Sequence, residues 1–214
     1  MRDGLRAALA SVALALGILL LAGALPARAA EQAIGRVVQQ QGDVRVVRDA
    51  AATAPLAVGA EVLRRDRIVS GHDGRVKIEF LDRSLVAIGS DTELFVADYA
   101  VGRDGRRLNA VLSLLSGIVR ALVAEPDGSF DITSRAAVAS ARSTEWLMEA
   151  TGAGSAVFAA AGVVAVQAVG TNTIVELTPG MGTDVPPGAA PTPPKLWGKA
   201  RVEDFVARTR LIGE

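Results

Sequence analysis

Residues 65–89, RDRIVSGHDGRVKIEFLDRSLVAIG, decide how this chain folds. Val76, Ile78 and Phe80 alternate with Arg75, Lys77 and Glu79, the two-residue period of a strand that turns one face to a core and the other to water. His72, Asp73 and Gly74 form the turn into that strand, and a second apolar run, Ser84 to Ile88, follows at once. Strands this short, set off by polar turns, belong to a sandwich or barrel.

The same grammar extends in both directions. Arg36 to Gln40 and Val44 to Val47 flank Gln41-Gly42-Asp43 as a hairpin, and Asp49 to Pro55 reads as a loop of small residues. Leu63 to Ser70, Thr92 to Tyr99, Ala110 to Leu115 and Ile118 to Val123 read as further strands, the last two separated by a turn at Ser116-Gly117. Arg103 to Arg107 reads as a charged tip in solvent. Ala156 to Val169 is almost wholly apolar, but Gly162 divides it. Because a membrane span needs about 20 residues and valine favours strands, Ser155 to Ala160 and Val163 to Ala168 are expected to be two strands. Ile174 to Leu177 is the last expected strand.

Beyond Pro179 the character changes. Pro186, Pro187, Pro191, Pro193 and Pro194 have no backbone donor and read as an extended strap. Val202, Phe205, Val206 and Thr209 then recur at helical spacing, with Asp204 and Arg208 as an i,i+4 pair. This helix either packs on its own domain or docks a partner or neighbouring copy. The fold expected is all-β, a sandwich or jelly-roll-like domain of about a dozen short strands, with a strap and a short C-terminal helix. The expected divisions are a signal peptide over 1–29, a β domain over 30–180, the strap over 181–198 and the helix over 199–214.

The N-terminus sets the compartment. Arg2 and Arg6 precede an apolar stretch from Ala7 to Gly23, and Ala27-Arg28-Ala29 has the form of a cleavage site, which together predict a signal peptide cleaved near Ala29 and a periplasmic mature chain starting near Ala30. Membrane attachment follows only if that helix is retained. The chain has no cysteine, which excludes disulfides, thiolate metal sites and thiol nucleophiles. With residues 1–29 removed, acidic and basic side chains nearly balance, at a net charge near minus two. Nothing there points to a nucleic-acid partner. The excess of arginine over lysine, set in an alanine-rich chain, reflects base composition and carries no functional weight.

An ordered set of turns carries a resemblance. Gly35 opens the first hairpin, Gly59 precedes a strand, Asp66 stands before Ile68-Val69-Ser70, and Gly71-His72-Asp73-Gly74 leads toward Phe80. Asp82-Arg83-Ser84, a strand ending in Gly89, Gly117-Ile118-Val119-Arg120, Arg142-Ser143-Thr144 and Gly162 follow in order. Over about Gly35 to Gly180 this resembles the FecR-type domain, the periplasmic sensing module of iron-dicitrate regulators. The resemblance implies a β-rich, non-catalytic module without cofactor or metal that binds another envelope protein, its motif residues being structural. In the regulators themselves a cytoplasmic segment engages a sigma factor. Six residues precede the apolar run here, so that role is not expected of this chain. The family tends to have Asp-Gly-Ser and Arg-Gly-Thr where this chain has Asp82-Arg83-Ser84 and Arg142-Ser143-Thr144. Loss of glycine at both predicts turns with ordinary backbone angles.

The remaining candidates for chemistry are few. His72 is the only histidine and reads as a solvated turn residue. Asp66, Asp73, Asp82 and Asp91 stand at strand ends, where short carboxylates bond backbone amides; calcium would need several of them to converge with carbonyls, and no EF-hand spacing is present. Glu145 and Glu149 share a strand face opposite Trp146 and Met148, a carboxylate pair of the type glycosidases use. The expected reading is a solvated face, with Trp146 in the core and Trp197 covering an apolar edge. Two alternatives stand beside the protein-binding sensor or adaptor: a structural or glycan-binding envelope module, and a hydrolase using Glu145.

Overall fold

Alternating apolar side chains emerge as seventeen strands and one helix in the computed structural model, which describes residues 32–48, 52–124 and 128–213. The expected signal peptide lies outside the described residues. Hydrogen-bond pairing sorts the strands into two sheets. Sheet I runs in the order β4 (Glu61–Val62), β1 (Gly35–Gln41), β6 (Arg75–Phe80), β7 (Leu85–Ile88), the second half of β9 (Arg107–Val123), β12 (Thr144–Thr151), β13 (Gly154–Ala161), β16 (Met181–Val185) and β17 (Lys195–Leu196). Sheet II runs β3 (Ala52–Pro55), β2 (Val44–Arg48), β5 (Arg67–Ser70), β8 (Glu93–Val101), the first half of β9, β10 (Ser129–Thr133), β11 (Ala137–Ala141), β14 (Val164–Ala168) and β15 (Ile174–Leu177). The pairs are antiparallel except β9 with β10.

Both sheets send one side of their alternation inward. Val37, Ile78, Val86, Trp146, Met148 and Val157 of sheet I meet Val46, Ile68, Leu94, Leu112, Ile132 and Val166 of sheet II in a single core. A line of rings crosses it: Tyr99 stacks on Phe80 at 5.2 Å, Phe80 meets Phe130 edge-on at 6.2 Å, and Phe130 meets Trp146 edge-on at 5.8 Å. Such pairs add to what their burial contributes.

Five expectations need correction. Ser116-Gly117 does not end a strand. β9 continues through it, pairing with β8 up to Ser116 and with β12 from Gly117 onward, so the turn becomes a corner where one strand changes sheet. Gly117 has φ +92°, and a Cβ there would collide with Thr92. The Thr92 hydroxyl fills that space and accepts the Ile118 N–H at 3.0 Å.

Arg107 is not part of a solvated tip. It is 1 % exposed and pairs with the carboxylate of Asp82, itself buried. Asp82 also accepts the Tyr99 hydroxyl at 2.8 Å and the Ser84 hydroxyl at 2.6 Å, while Arg107 donates Nε to the Ser129 carbonyl at 3.2 Å and lies over the Phe130 ring. A buried carboxylate is tolerable when its lone pairs are taken up in this way. Burial alone pushes the Tyr99 hydroxyl well above its ordinary pKa.

Arg83 does not take ordinary angles: its φ is +68°. Phe80 donates to the Ser84 carbonyl at 2.9 Å and accepts the Arg83 N–H at 3.0 Å, the three-residue hairpin loop whose last position is left-handed. The loop dictates the angle and arginine conforms. Ser143 has no positive φ, so the second altered turn agrees with the expectation. Finally, strand number exceeds a dozen, and the segment after Gly180 is not only a strap: β16 pairs with β13 and extends sheet I, and the chain from Gln32 onward is one compact unit.

Two outcomes follow for stability. Gly117→Ala should lower unfolding free energy by about 2–4 kcal/mol, strain and clash acting together, read as a lower urea midpoint; a loss under about 1 kcal/mol would contradict the corner's requirement for glycine. Asp82→Ala should cost about 3–5 kcal/mol by stranding the Arg107 charge, and adding Arg107→Leu should recover part of that loss, as a double-mutant cycle would measure.

Candidate functional site

The C-terminal helix α1 (Lys199–Thr209) determines what the outer face of sheet I presents. Eleven residues form a marginal helix on their own, so α1 depends on docking. Phe205 enters a second apolar cluster with Ile118, Leu147, Ala156, Phe158 and Trp197. Trp197 stacks on Phe158 at 5.2 Å and meets Phe205 edge-on at 4.9 Å, with the Arg201 guanidinium 3.6 Å above the indole. Two glycines let the backbone of this layer approach closely. A Cβ on Gly182 would strike the Trp197 ring, and one on Gly89 would lie 2.8 Å from the Arg208 carbonyl.

Ion pairs fix the helix at both ends. Arg201 makes two hydrogen bonds to the Asp184 carboxylate on β16, and Arg208 pairs with Glu149 on β12 and with Asp204 at 3.1 Å. The hydrogen bonds from Arg201 hold the Asp184 carboxyl below its ordinary 3.8; burial opposes this, and the charges of Arg201 and Lys195 reinforce it. Burial works against the Arg208 charge, but its bonds to Glu149 and Asp204 prevail and raise its pKa. The face holding Glu145 and Glu149 is therefore not simply solvated: Leu147, on the same face, is fully buried in the apolar layer with α1.

α1 covers only part of that face. Beside it lies a groove of about 500 Å³, bounded by Lys77, Leu85, Ala87, Arg120, Leu122 and Glu145 on the sheet and Val206 and Arg210 on the helix side. Strand register orders its floor. Lys77, Ala87 and Arg120 stand in one row, and Leu85, Leu122 and Glu145 in the next. Leu122 is 44 % exposed, and Arg120 donates Nε to Glu145 at 2.6 Å. Burial, and then the charge of Arg120, lower the pKa of Lys77. The groove thus combines an apolar floor with an excess of positive charge.

The residues singled out from the turn pattern do not converge. Gly35 begins β1, Gly59 and Gly162 lie in turns, and Thr144 donates to the Val163 carbonyl at 3.4 Å beside exposed Arg142. Gly71 donates to the Asp43 carbonyl at 2.8 Å and Gly74 packs on that same carbonyl, while Asp73 accepts the Asp43 N–H. Asp66 is held by a two-pronged bond from Arg48 at 2.8 and 3.0 Å and by the Leu63 N–H at 2.9 Å. Phe80, Asp82 and Ser84 belong to the buried network, and Gly89 and Gly117 to the helix footprint and the corner. His72 is exposed and bonds Asp91 at 3.0 Å. Among the described residues no group of three or more His, Asp or Glu is placed to hold a metal ion, and no helix is long and apolar enough to cross a membrane. Arg107, Arg120 and Lys77 were not anticipated. The alternation in β6 marked Lys77 as outward-facing, and the same period in β9 is the signal that could have placed Arg120 there, but nothing local marks where a distant helix lands.

The Asp184 pairing yields a pH dependence with a definite sign. A carboxyl whose folded pKa is lowered contributes stability above its unfolded pKa, and the contribution is lost as pH falls through the folded value. The stability gap between the parent protein and Asp184→Asn should be full at neutral pH and close below 3.8, followed by urea unfolding across pH. A gap independent of pH would contradict the ion-pair account.

With the geometry in place, comparison with known proteins identifies the core module. Residues 66–165, from just before β5 into β14, match the family described as FecR protein. No curated protein matches the chain. Two crystal structures of a candidate anti-sigma factor from Parabacteroides distasonis are similar in fold, each with a TM-score of 0.55 and 15 % identity over 65 % of this chain. The alignments span 63 % and 64 % of those chains' length, and at this identity the likeness establishes the fold alone. Residues 66–165 are thus similar to the FecR family, within an all-β fold that the two crystal structures share.

Proposed function

We propose that this chain is an exported, non-catalytic sensor or adaptor that works in the periplasm by binding another envelope protein. The observation that carries the reading is the FecR match over residues 66–165, because FecR-type domains are regulatory modules that act through contacts. The N-terminal pattern of Arg2, Arg6, an apolar run and Ala27-Arg28-Ala29 supports export. The carboxylates with the best chemistry for hydrolysis are already taken up in ion pairs within the fold, Glu145 with Arg120 and Glu149 with Arg208.

Fractionation of expressing cells should find the protein outside the cytoplasm, with mass spectrometry placing its first residue near Ala30. Affinity capture from periplasmic extract should return one protein partner repeatedly. Retention in the cytoplasm would overturn the reading. So would capture that returns no specific protein, and retention on peptidoglycan alone would favour the structural or glycan-binding alternative.

A further inference from the structure

α1 leaves uncovered a strip of sheet I shaped for another helix. The rows containing Ile118, Arg120 and Leu122 lie on one face of β9, and same-face residues two apart are separated by about 6.8 Å. Gly89 and Glu149, which touch Arg208 of the helix, belong to the Ile118 row, Gly89 donating to the Ile118 carbonyl at 2.9 Å. The Leu122 row is therefore about 13 Å farther along the strands. Helices packed side by side stand about 8–10 Å apart, so a neighbour of α1 would rest between the Arg120 and Leu122 rows. Across the strands the floor spans β6, β7, β9 and β12, about 14 Å at ordinary strand spacing, close to three helical turns.

Chemistry narrows what can lie there. Leu85, Ala87 and Leu122 offer an apolar floor, with Val206 as the wall. Lys77, Arg120 and Arg210 border it against one carboxylate, Glu145, which Arg120 already engages. The net positive charge of this border favours an acidic segment over a basic one. We propose that this groove docks a short acidic amphipathic helix of a partner protein, seated alongside α1 with its apolar stripe on Leu85 and Leu122 and its carboxylates toward Lys77 and Arg210. The inference rests on the protein-binding reading above and names the surface and the chemistry of the bound segment.

The test uses the full mature chain and a displayed library of random peptides about 16 residues long, roughly four helical turns. Selection should enrich sequences with leucine or phenylalanine at helical spacing flanked by Asp and Glu. A synthetic peptide from the enriched pool should bind Leu122→Asp and Lys77→Glu/Arg210→Glu at least about tenfold more weakly, with circular dichroism confirming that each variant is folded, and its binding should weaken with salt. Enrichment without acidic bias, binding indifferent to these substitutions, or no enrichment at all would overturn the proposal. So would binding to phosphatidylglycerol vesicles, or self-association, lost in Leu122→Asp while no peptide is selected; these would assign the groove to a lipid surface or a second copy. An envelope partner whose capture survives Leu122→Asp would defeat the groove alone and leave the protein-binding reading standing.

Discussion

The constraint on which the rest of this structure depends is that a single strand, β9, belongs to both sheets. Its first half lies beside β8 and β10 and its second half beside β7 and β12. The alternation of side chains must therefore point into the same core from two directions. Ala110, Leu112 and Leu114 enter from sheet II, and Val119, Ala121 and Val123 from sheet I. The spacing of two breaks between Leu114 and Val119, and the corner at Ser116-Gly117 absorbs the change of phase. Only a residue without a side chain can hold φ +92° there against Thr92.

That strand also separates two kinds of charged site. Arg107, at its start, is sealed in the core and satisfied by Asp82, the Ser84 hydroxyl and the Ser129 carbonyl. Arg120, near its end, faces outward and remains partly open beside Glu145. The first is worth having for geometry: it ties the 80–84 hairpin to β9 and β10, and an orphaned partner would be costly. The second is screened by water and contributes little to stability, which leaves it available for recognition. One residue type thus performs opposite tasks on opposite sides of the same sheet junction.

Much of the fold was legible in the sequence because strand alternation is local. The β6 and β15 boundaries match the pattern reading, and Gly162, at φ +73°, divides β13 from β14 as its place in an apolar run suggested. What escaped was non-local. Arg107 looked like the last residue of a charged tip because burial of a cation depends on Asp82, 25 residues earlier, being close in space. Arg83 looked free of strain because its left-handed angle is imposed by hairpin closure between Phe80 and Ser84, not by its own preference. The groove was invisible for the same reason. Its floor comes from four strands, and its wall from a helix that begins 48 residues after the last of them ends, at Thr151.

The two apolar clusters explain how such a wall can be built without compromising the domain. The inter-sheet core is closed by strand residues, whereas the α1 layer depends on Trp197, Phe158 and Phe205 with a few residues of the sheet's outer side. Leu147 and Trp146 are neighbours in sequence yet serve different clusters, one on each face of β12. A helix attached this way forms a local unit whose opening need not unfold the sandwich. Its position is set instead by Arg201 on Asp184 and Arg208 on Glu149, charged contacts at opposite ends that fix where α1 crosses the sheet. Because α1 is only three turns long and pinned at that position, it covers Leu147 in the Arg120 row but not Lys77, Ala87 and Arg120 of the same row or the Leu122 row beyond, and the groove is the geometric remainder of a sheet face wider than the helix that packs on it.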